Sequence, residues 1–303
     1  MITVLKTALP VFLALALGML CRSKGFLTRD GVDTLKKVVV NLTLPAVLLN
    51  AFASADYSVS TMAMPVLMFA LCCLALVLGK LVVRLAGVKS RLVPFLASGC
   101  EAGMLGYALF VMLFPGKSMS SFAMLDLGQT LFVFTLYKVL LSGKREWRAI
   151  VSDMIRTPIL WAVFVGALLG GTGLYRNAQQ FRGILDAVTD FVGAPTGMII
   201  LLTVGFDLVF REIPWKKTAG LVAMRLGIMA ACLGVAVLVN RTLLGGLIFE
   251  GALVLMVILP PPYVLPVFAD EPAERVQISS ALSATTLVTM VLFGILSLVV
   301  NMF

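Results

Sequence analysis

The stretch LIFEGALVLMVILPPPYVLPVF, which runs from Leu247 to Phe268, places three consecutive prolines in the middle of an otherwise apolar segment. The segment is long enough to cross the hydrocarbon core of a membrane, because a spanning helix takes about 20 residues. Pro260, Pro261 and Pro262 lack backbone N–H donors and break a helix. Irregular backbone is tolerated at membrane depth only inside protein or beside a cavity. We therefore expect an interrupted helix beside a buried site.

A second interruption is expected in the apolar segment from Leu92 to Phe114. Gly99, Gly103 and Gly106 lie in its middle, around the acidic residue Glu101, and glycine weakens a helix. Paired interrupted helices in corresponding positions of two halves of a chain point to the midplane binding site of a secondary transporter. The two segments together therefore predict a transporter.

The composition agrees with a chain that lies largely in a membrane. Of the 303 residues, 60% are apolar and 13% are charged, whereas ordinary soluble domains have about 45–50% and about 25%. Ten apolar segments of roughly spanning length follow one another, so the predicted fold class is all-α integral membrane with ten transmembrane helices. The segments are 2–21, 38–55, 61–83, 92–114, 122–141, 159–174, 184–210, 219–239, 247–268 and 278–303.

The basic residues predict the orientation of these spans. Most of the 24 Lys and Arg residues fall in the loops that follow the odd-numbered spans. Because cytoplasmic loops retain Lys and Arg, both termini are expected outside the cytoplasm. This asymmetry also accounts for the net charge of +9, so no nucleic-acid partner is predicted.

With both termini on one side, spans 1–5 and 6–10 enter the membrane with opposite polarity, as in a 5+5 inverted repeat. A constant offset along the sequence places Pro45 of span 2 on Pro195 of span 7. The predicted division is residues 1–141 for the first repeat, 142–157 for a cytoplasmic linker and 158–303 for the second repeat. In the linker, apolar residues such as Trp147, Val151 and Met154 recur at helical spacing, which predicts an amphipathic helix on the membrane surface.

The sequence gives little support for an enzymatic function. It has no histidine, and its five cysteines lack a paired spacing, so no metal or cofactor is predicted. The rival interpretation is an integral membrane enzyme that acts on a lipid or isoprenoid substrate. Such an enzyme would need clustered aspartates or histidines to hold metal and phosphate, whereas Asp186 and Asp190 stand alone. A channel is disfavoured because no span carries a continuous polar stripe.

Polar side chains inside the spans are the candidates for ion coupling. Glu101 is the first of them, because an ionisable residue deep in a span is by default functional; the alternative is that it pairs with a basic side chain and fixes helix packing. Asp126, Gln129 and Thr130 share one face of span 5. Their oxygens could hold a sodium ion, or they could serve helix packing.

Other polar residues of the spans receive structural or recognition roles. Asp207 and Arg225 are predicted to form a structural ion pair, because both lie at shallow depth. The hydroxyls of span 10, from Ser279 to Thr286, are expected to bond their own backbone. Cargo recognition is expected from free backbone N–H groups of the interrupted helices, which favour an anion. Tyr107 and Tyr263 could line the pocket beside them or could equally be packing residues.

The motifs resemble those of one transporter family. Asn41-Leu-Thr-Leu-Pro45-Ala-Val-Leu-Leu49 resembles the second-span signature of the auxin efflux carriers. Glu101-Ala-Gly-Met-Leu-Gly-Tyr-Ala-Leu109 is similar to the family's Asn-Thr-Gly-Phe-Leu-Gly-Leu-Pro-Leu crossover, and the stretch from Pro261 to Ala269 is similar to its second crossover. On this resemblance the substrate-binding residues are Asn41, Glu101, Gly103, Gly106, Tyr107, Pro261, Pro262 and Tyr263.

The resemblance implies a fold like that of bile acid/sodium symporters, with broken helices 4 and 9. Helices 1, 2, 6 and 7 would form a scaffold, and helices 3–5 and 8–10 a transport domain that moves like an elevator. The implied cargo is a small organic anion, such as malonate or auxin, and the coupling ion is a proton or sodium. The short 142–157 linker is typical of compact bacterial members, which implies the bacterial inner membrane and a possible homodimer through the scaffold helices.

Two residues depart from the family pattern: Glu101 replaces Asn, and Ala108 replaces Pro. A buried carboxylate repels an anionic cargo, and burial favours its protonated form. Either Glu101 is protonated when cargo is bound, which couples transport to protons, or the cargo is not a simple anion.

Overall fold

The computed structural model describes residues 2–58, 61–142, 156–208, 213–269 and 271–300, and within these ranges every regular element is helical. The linker helix predicted around Trp147 and Met154 lies outside the described residues. The chain forms two compact units. The first unit is Met1–Met62, Gly103–Met124 and Val151–Leu208, and the second is Ala63–Ala102, Leu125–Ile150 and Val209–Phe303.

The α-helices follow one another in chain order as α1 (Ile2–Ser23), α2 (Arg29–Val38), α3 (Leu44–Ala53), α4 (Ala63–Leu85), α5 (Tyr107–Leu113), α6 (Met119–Phe132), α7 (Lys138–Ser142), α8 (Pro158–Gly171), α9 (Leu174–Asn177), α10 (Gln179–Gly193), α11 (Thr196–Asp207), α12 (Trp215–Thr242), α13 (Glu250–Ile258) and α14 (Pro272–Val300). Among the described residues, three π-helical turns join or precede them, at Val39–Thr43, Ala102–Gly106 and Val133–Tyr137, and two 3₁₀ turns lie at Val93–Ala97 and Leu265–Phe268.

In the first unit, α1 and α11 pack along a seam of small residues. A Cβ atom on Gly18 of α1 would lie 2.7 Å from the Phe206 nitrogen, and one on Gly205 of α11 would lie 2.7 Å from Cα of Leu15. Glycine on both sides lets two helical backbones approach this closely. The same unit packs α3 against α8 and α10.

In the second unit, the long helix α12 packs against α4, α13 and α14. One buried cluster between α12 and α14 contains Val222 and Ala284, together with Ile213 just before α12. The two interrupted segments lie around this helix in the second unit.

Both interruptions expected from the sequence are present. After the 3₁₀ turn at Val93–Ala97, the backbone is non-helical from Ser98 to Glu101 before the π-helical turn begins. Helix α13 ends at Ile258, and the proline run is non-helical until the 3₁₀ turn at Leu265–Phe268. The missing proline donors and the left-handed backbone at Gly99 explain why neither helix continues.

Seven helical stretches within the described residues are long and apolar enough to cross a membrane, namely Arg29–Ala53, Ala63–Leu85, Val93–Leu113, Met119–Leu141, Gln179–Asp207, Thr218–Thr242 and Pro272–Val300. Ala8–Ser23 and Pro158–Gly171 are shorter apolar helices, in the places of predicted spans 1 and 6. The all-helical architecture is that of an integral membrane protein, whereas the count of ten spans stays a prediction.

Two predicted spans begin later than the helices that contain them. The helix of span 2 begins at Arg29 rather than Val38, and that of span 7 begins at Gln179 rather than Ile184. The first turn of α2 is capped by Thr28, whose hydroxyl accepts a hydrogen bond from the Gly31 nitrogen at 3.1 Å. The apolar run of span 2 does not include this polar first turn, because capping and not burial starts the helix there.

Candidate functional site

The two interrupted segments cross in the second unit. Gly99 has a φ of +70°, and a Cβ atom on it would lie 2.9 Å from Cγ of Pro262. Next to this contact the Glu101 nitrogen donates a hydrogen bond to the Pro260 carbonyl at 2.9 Å. The segments are therefore joined backbone to backbone, at the point where the sequence places its glycine and its prolines.

Arg225 of α12 holds this crossing together. Its side chain is fully buried, and the guanidinium donates to the carbonyls of Leu96 at 2.8 Å, Gly99 at 2.9 Å and Leu259 at 2.7 Å. Carbonyls at the end of a helix have no partner within the helix. One side chain thus satisfies carbonyls from both interrupted segments.

The predicted ion pair between Asp207 and Arg225 is wrong. Asp207 accepts from Arg29 and from Lys36, each at 2.5 Å, while Arg225 donates to main-chain carbonyls. Similar depth in the membrane made the pair plausible, but depth says nothing of lateral position. Main-chain carbonyls at the helix breaks accept the hydrogen bonds of this guanidinium instead.

Glu101 lies beside the second interruption. Its Oε2 atom accepts a hydrogen bond from the Tyr263 nitrogen at 2.7 Å. The Tyr263 hydroxyl lies 3.1 Å from the Thr286 hydroxyl, which itself donates to the Leu282 carbonyl at 2.9 Å. The acidic residue of one break therefore holds the backbone of the other, through the Tyr263 N–H that follows the proline run.

The predicted polar face of span 5 is assembled next to the first interruption. The Gln129 amide nitrogen donates to the Cys100 carbonyl at 2.8 Å and contacts Asp126 Oδ1 at 3.3 Å. The Thr130 hydroxyl contacts the same carboxylate oxygen at 3.4 Å. Asp126 and Gln129 are both buried. These oxygens could serve a hard cation, and the sodium site stays a prediction.

Two residues of the crossing have partners that sequence reasoning did not assign. Arg225 is one, and Thr289 of α14 is the other, because its hydroxyl donates to the Ile258 carbonyl at the end of α13 at 2.5 Å. Ser98 Oγ and Gln129 Oε1 are buried and have no hydrogen-bond partner among the described residues. Thr289 lies four residues after Thr285, and this helical spacing is the sequence signal that could have indicated its role.

The first unit contains a cavity of about 590 Å³, which Tyr107 of α5 lines. Its wall is mainly apolar, and its polar members include Asn50, Thr189 and Asp190. The Asn50 amide donates to Asp186 at 3.1 Å and to Thr189 at 2.8 Å, so its orientation is fixed. A concave, largely apolar space with a few oriented polar groups suits a small organic ligand.

The other predicted substrate residues of the first unit lie apart from the lining of this cavity. Asn41 is exposed, and its amide donates to the Lys37 carbonyl one turn earlier at 2.8 Å. Gly103 and Gly106 belong to a π-helical turn, and a Cβ atom on Gly103 would make only ordinary contact with Leu44. Their assignment to cargo binding stays a prediction.

Comparison with known proteins agrees with this architecture. The model of a family described as membrane transport protein matches residues 3–153. Over 213 residues, the chain is 26% identical to an uncharacterized transporter of the archaeon Methanothermobacter thermautotrophicus, and the match covers 68% of each chain. The resemblance to auxin efflux carriers is thereby confirmed, and transport rather than catalysis is the function to which both matches point. Over residues 3–153 the chain is thus similar to the membrane transport protein family, and its several apolar helices are those of a multi-pass membrane protein.

Proposed function

We propose that the protein is a secondary transporter that moves a small organic anion, a carboxylate of malonate or auxin type, by elevator-like alternating access. The observation that carries this proposal is the contact between Glu101 Oε2 and the Tyr263 nitrogen at 2.7 Å. It supports a carboxylate site at the backbone end released by the proline run, because free N–H groups of interrupted helices favour anions.

Glu101 and a cargo carboxylate compete for this N–H. An ionised Glu101 occupies the donor and repels a second anion, whereas a protonated Glu101 is neutral and binds the donor more weakly. Cargo therefore binds when Glu101 carries a proton, and the two cross the membrane together. Arg225 and Asp126 also lie near the crossing, and the positive charge of Arg225 favours an incoming anion.

Sodium at Asp126 and Gln129 is the alternative coupling ion. It is supported by the buried carboxylate, by the nearby Thr130 hydroxyl and by the unpartnered Gln129 Oε1 among the described residues. In that case cargo flux would follow the sodium gradient and respond weakly to pH.

The cavity of the first unit supports a cargo with an apolar body. Met112, Met119 and Met198 contribute flexible apolar side chains to its wall, and methionine adapts to ligands of different shape. As a separate site within the first unit, this cavity would bind an auxin-like cargo through its apolar part.

The remaining organisation is proposed from the family resemblance. Helices 1, 2, 6 and 7 would form the scaffold and the homodimer contact, and helices 3–5 and 8–10 would form the moving domain. The protein would lie in a bacterial inner membrane with both termini outside the cytoplasm, as the distribution of Lys and Arg predicts.

Counterflow in proteoliposomes tests the proposal. Labelled malonate and indole-3-acetate are offered to the purified protein at about pH 5.5 and about pH 7.5, with sodium or with choline. We expect saturable exchange that is faster at the lower pH and equal in sodium and choline. Absence of saturable exchange of any mono- or dicarboxylate would refute the proposal that the protein carries organic anions. Exchange that depends on sodium would indicate that sodium at Asp126, and not a proton on Glu101, is the coupling ion.

Glu101→Gln isolates the coupling step. The amide keeps an acceptor for the Tyr263 nitrogen but carries no titrating proton, so exchange should persist and lose its pH dependence. Glu271→Gln, at an exposed residue of the second unit, is the matched control and should behave as the wild type. An unchanged pH profile in Glu101→Gln would show that Glu101 does not couple transport to protons.

A further inference from the structure

The guanidinium of Arg225 is surrounded by main-chain oxygens of both interrupted segments. Leu96 and Gly99 contribute carbonyls from the first segment at 2.8 and 2.9 Å, and Leu259 contributes the third at 2.7 Å. Leu259 directly follows α13, and Leu96 lies in the last turn of the 3₁₀ helix that precedes the first break. The Leu96 and Leu259 carbonyls therefore lie at the negative ends of helical segments, and the Gly99 carbonyl belongs to the non-helical backbone that follows the first of them.

The charge of Arg225 is held by these oxygens. Its side chain is 1% exposed, and within the described residues each hydrogen bond that it donates to oxygen ends on a carbonyl. The nearby carboxylates have other partners, because Glu101 accepts from the Tyr263 nitrogen and Asp126 accepts from Gln129 and Thr130. A charge buried in a span is costly unless such groups solvate it.

Three carbonyls that converge on a positive charge form a cation site. In transporters with interrupted helices, carbonyls at the ends of half-helices coordinate the coupling cation, and hard cations bind carbonyl oxygens. Here a side chain fills the place of the ion. Guanidinium is planar, permanently charged and able to donate in several directions at once, which suits oxygens that come from two different segments.

We propose that Leu96, Gly99 and Leu259 form a carbonyl cation site that Arg225 occupies as a tethered cation, and that a small free cation binds there once the side chain is removed. In the native protein the tethered charge does not dissociate, so a sodium gradient cannot act through these carbonyls. That consequence for coupling rests on the proposed function; the cation site itself does not.

The experiment is a chemical rescue of Arg225→Ala. Thermal unfolding of the purified variant is followed at constant ionic strength with guanidinium, methylguanidinium, sodium or choline, each at about 10 mM, far below denaturing concentrations. We expect the variant to unfold several degrees below the wild type. Guanidinium or methylguanidinium should restore part of the loss, since a ligand that binds only the folded state stabilises it. Choline, which cannot donate N–H bonds, should restore nothing.

Two further variants keep the test decisive. Arg241→Ala removes an exposed arginine from the same helix and should show no response to guanidinium. Arg225→Lys keeps the charge but not the planar donor set, so it should be less stable than the wild type and should exclude free guanidinium. If Arg225→Ala does not fold, Arg225→Lys carries the test alone, and wild-type stability in that variant would overturn the proposal.

The proposal is also overturned if Arg225→Ala is as stable as the wild type, or if it is destabilised and no added cation restores any stability. Unfolding is measured without cargo, so these outcomes are distinct from a failure of the proposed transport function. Where exchange is measurable, wild-type flux should be the same in sodium and choline, and flux through Arg225→Ala should increase with guanidinium.

Discussion

Gly99 and Pro262 touch where the two interrupted segments cross, and a Cβ atom on Gly99 would lie 2.9 Å from Cγ of Pro262. Gly99 also has a φ of +70°, a conformation that other residues adopt only with strain. Both the space and the backbone therefore require glycine at this position.

Gly99→Ala should destabilise the second unit by roughly 1–3 kcal/mol, because it adds a methyl group and strains the backbone. Thermal unfolding of the purified variant measures the loss. Gly234→Ala is the control, since a Cβ atom there meets nothing within 4 Å in the middle of α12, and its stability should stay equal or rise. Equal stability of the two variants would contradict the crossing geometry.

Asn240→Ala should be strongly destabilising, although Asn240 lies far from the crossing along the chain. Its buried amide donates to the Ile248 carbonyl at 2.9 Å and accepts from the Ile248 nitrogen at 2.9 Å, which closes the turn before α13. Each group left without a partner costs roughly 1–3 kcal/mol. Thermal unfolding beside Asn177→Ala, at an exposed site, checks this expectation, and a similar small loss in both would contradict it.

Asp207→Asn should lower stability by up to about 1 kcal/mol, because Asp207 pairs with Arg29 and Lys36 in a partly exposed position. Added salt screens such pairs, so the difference from the wild type should shrink as ionic strength rises. Asp33→Asn, which removes a weaker contact to Lys36 at 3.8 Å, is the control. A difference that does not depend on salt would argue against these ion pairs.

Tyr57 should make stability sensitive to alkaline pH. It lies between α3 and α4, where burial raises its pKa from 10.0 to about 12, and its hydroxyl donates to the Phe52 carbonyl at 2.8 Å. A raised folded-state pKa means that the stabilisation is complete below pH 10 and is lost as the pH rises through about 12.

Comparison with Tyr57→Phe isolates this effect. Above about pH 10 the wild type should lose stability relative to the variant, and thermal unfolding between about pH 9 and pH 11.5 measures the difference. Parallel pH profiles would show that Tyr57 does not titrate differently in the folded state.

The sequence was sufficient to predict where the helices break, because proline and glycine carry that information in their own chemistry. It also predicted that Asp126, Gln129 and Thr130 lie together, since their spacing alone puts them on one helical face. These features depend on the local sequence, so they do not depend on how the rest of the chain folds.

The partners of Arg225 and Glu101 could not be predicted in the same way. Arg225 donates to carbonyls, and Glu101 accepts from a backbone nitrogen. Every residue has these main-chain groups, so the sequence does not show which of them are available as partners. They become available only where a helix breaks and only where two breaks meet. The predicted pairing of Asp207 with Arg225 was wrong for a related reason, because the observed pairing of Asp207 with Arg29 and Lys36 depends on which helices are neighbours.

The glycines at the seam between α1 and α11 also limit how the first unit can deform. Sliding either helix by one residue would force a side chain into space sized for a hydrogen atom, beside Leu15 or Phe206. Helices α1 and α11 therefore resist sliding past each other and behave as one rigid pair. The irregular backbone of this unit lies elsewhere, as at the π-helical turn Val39–Thr43, which is the kind of feature at which helices kink.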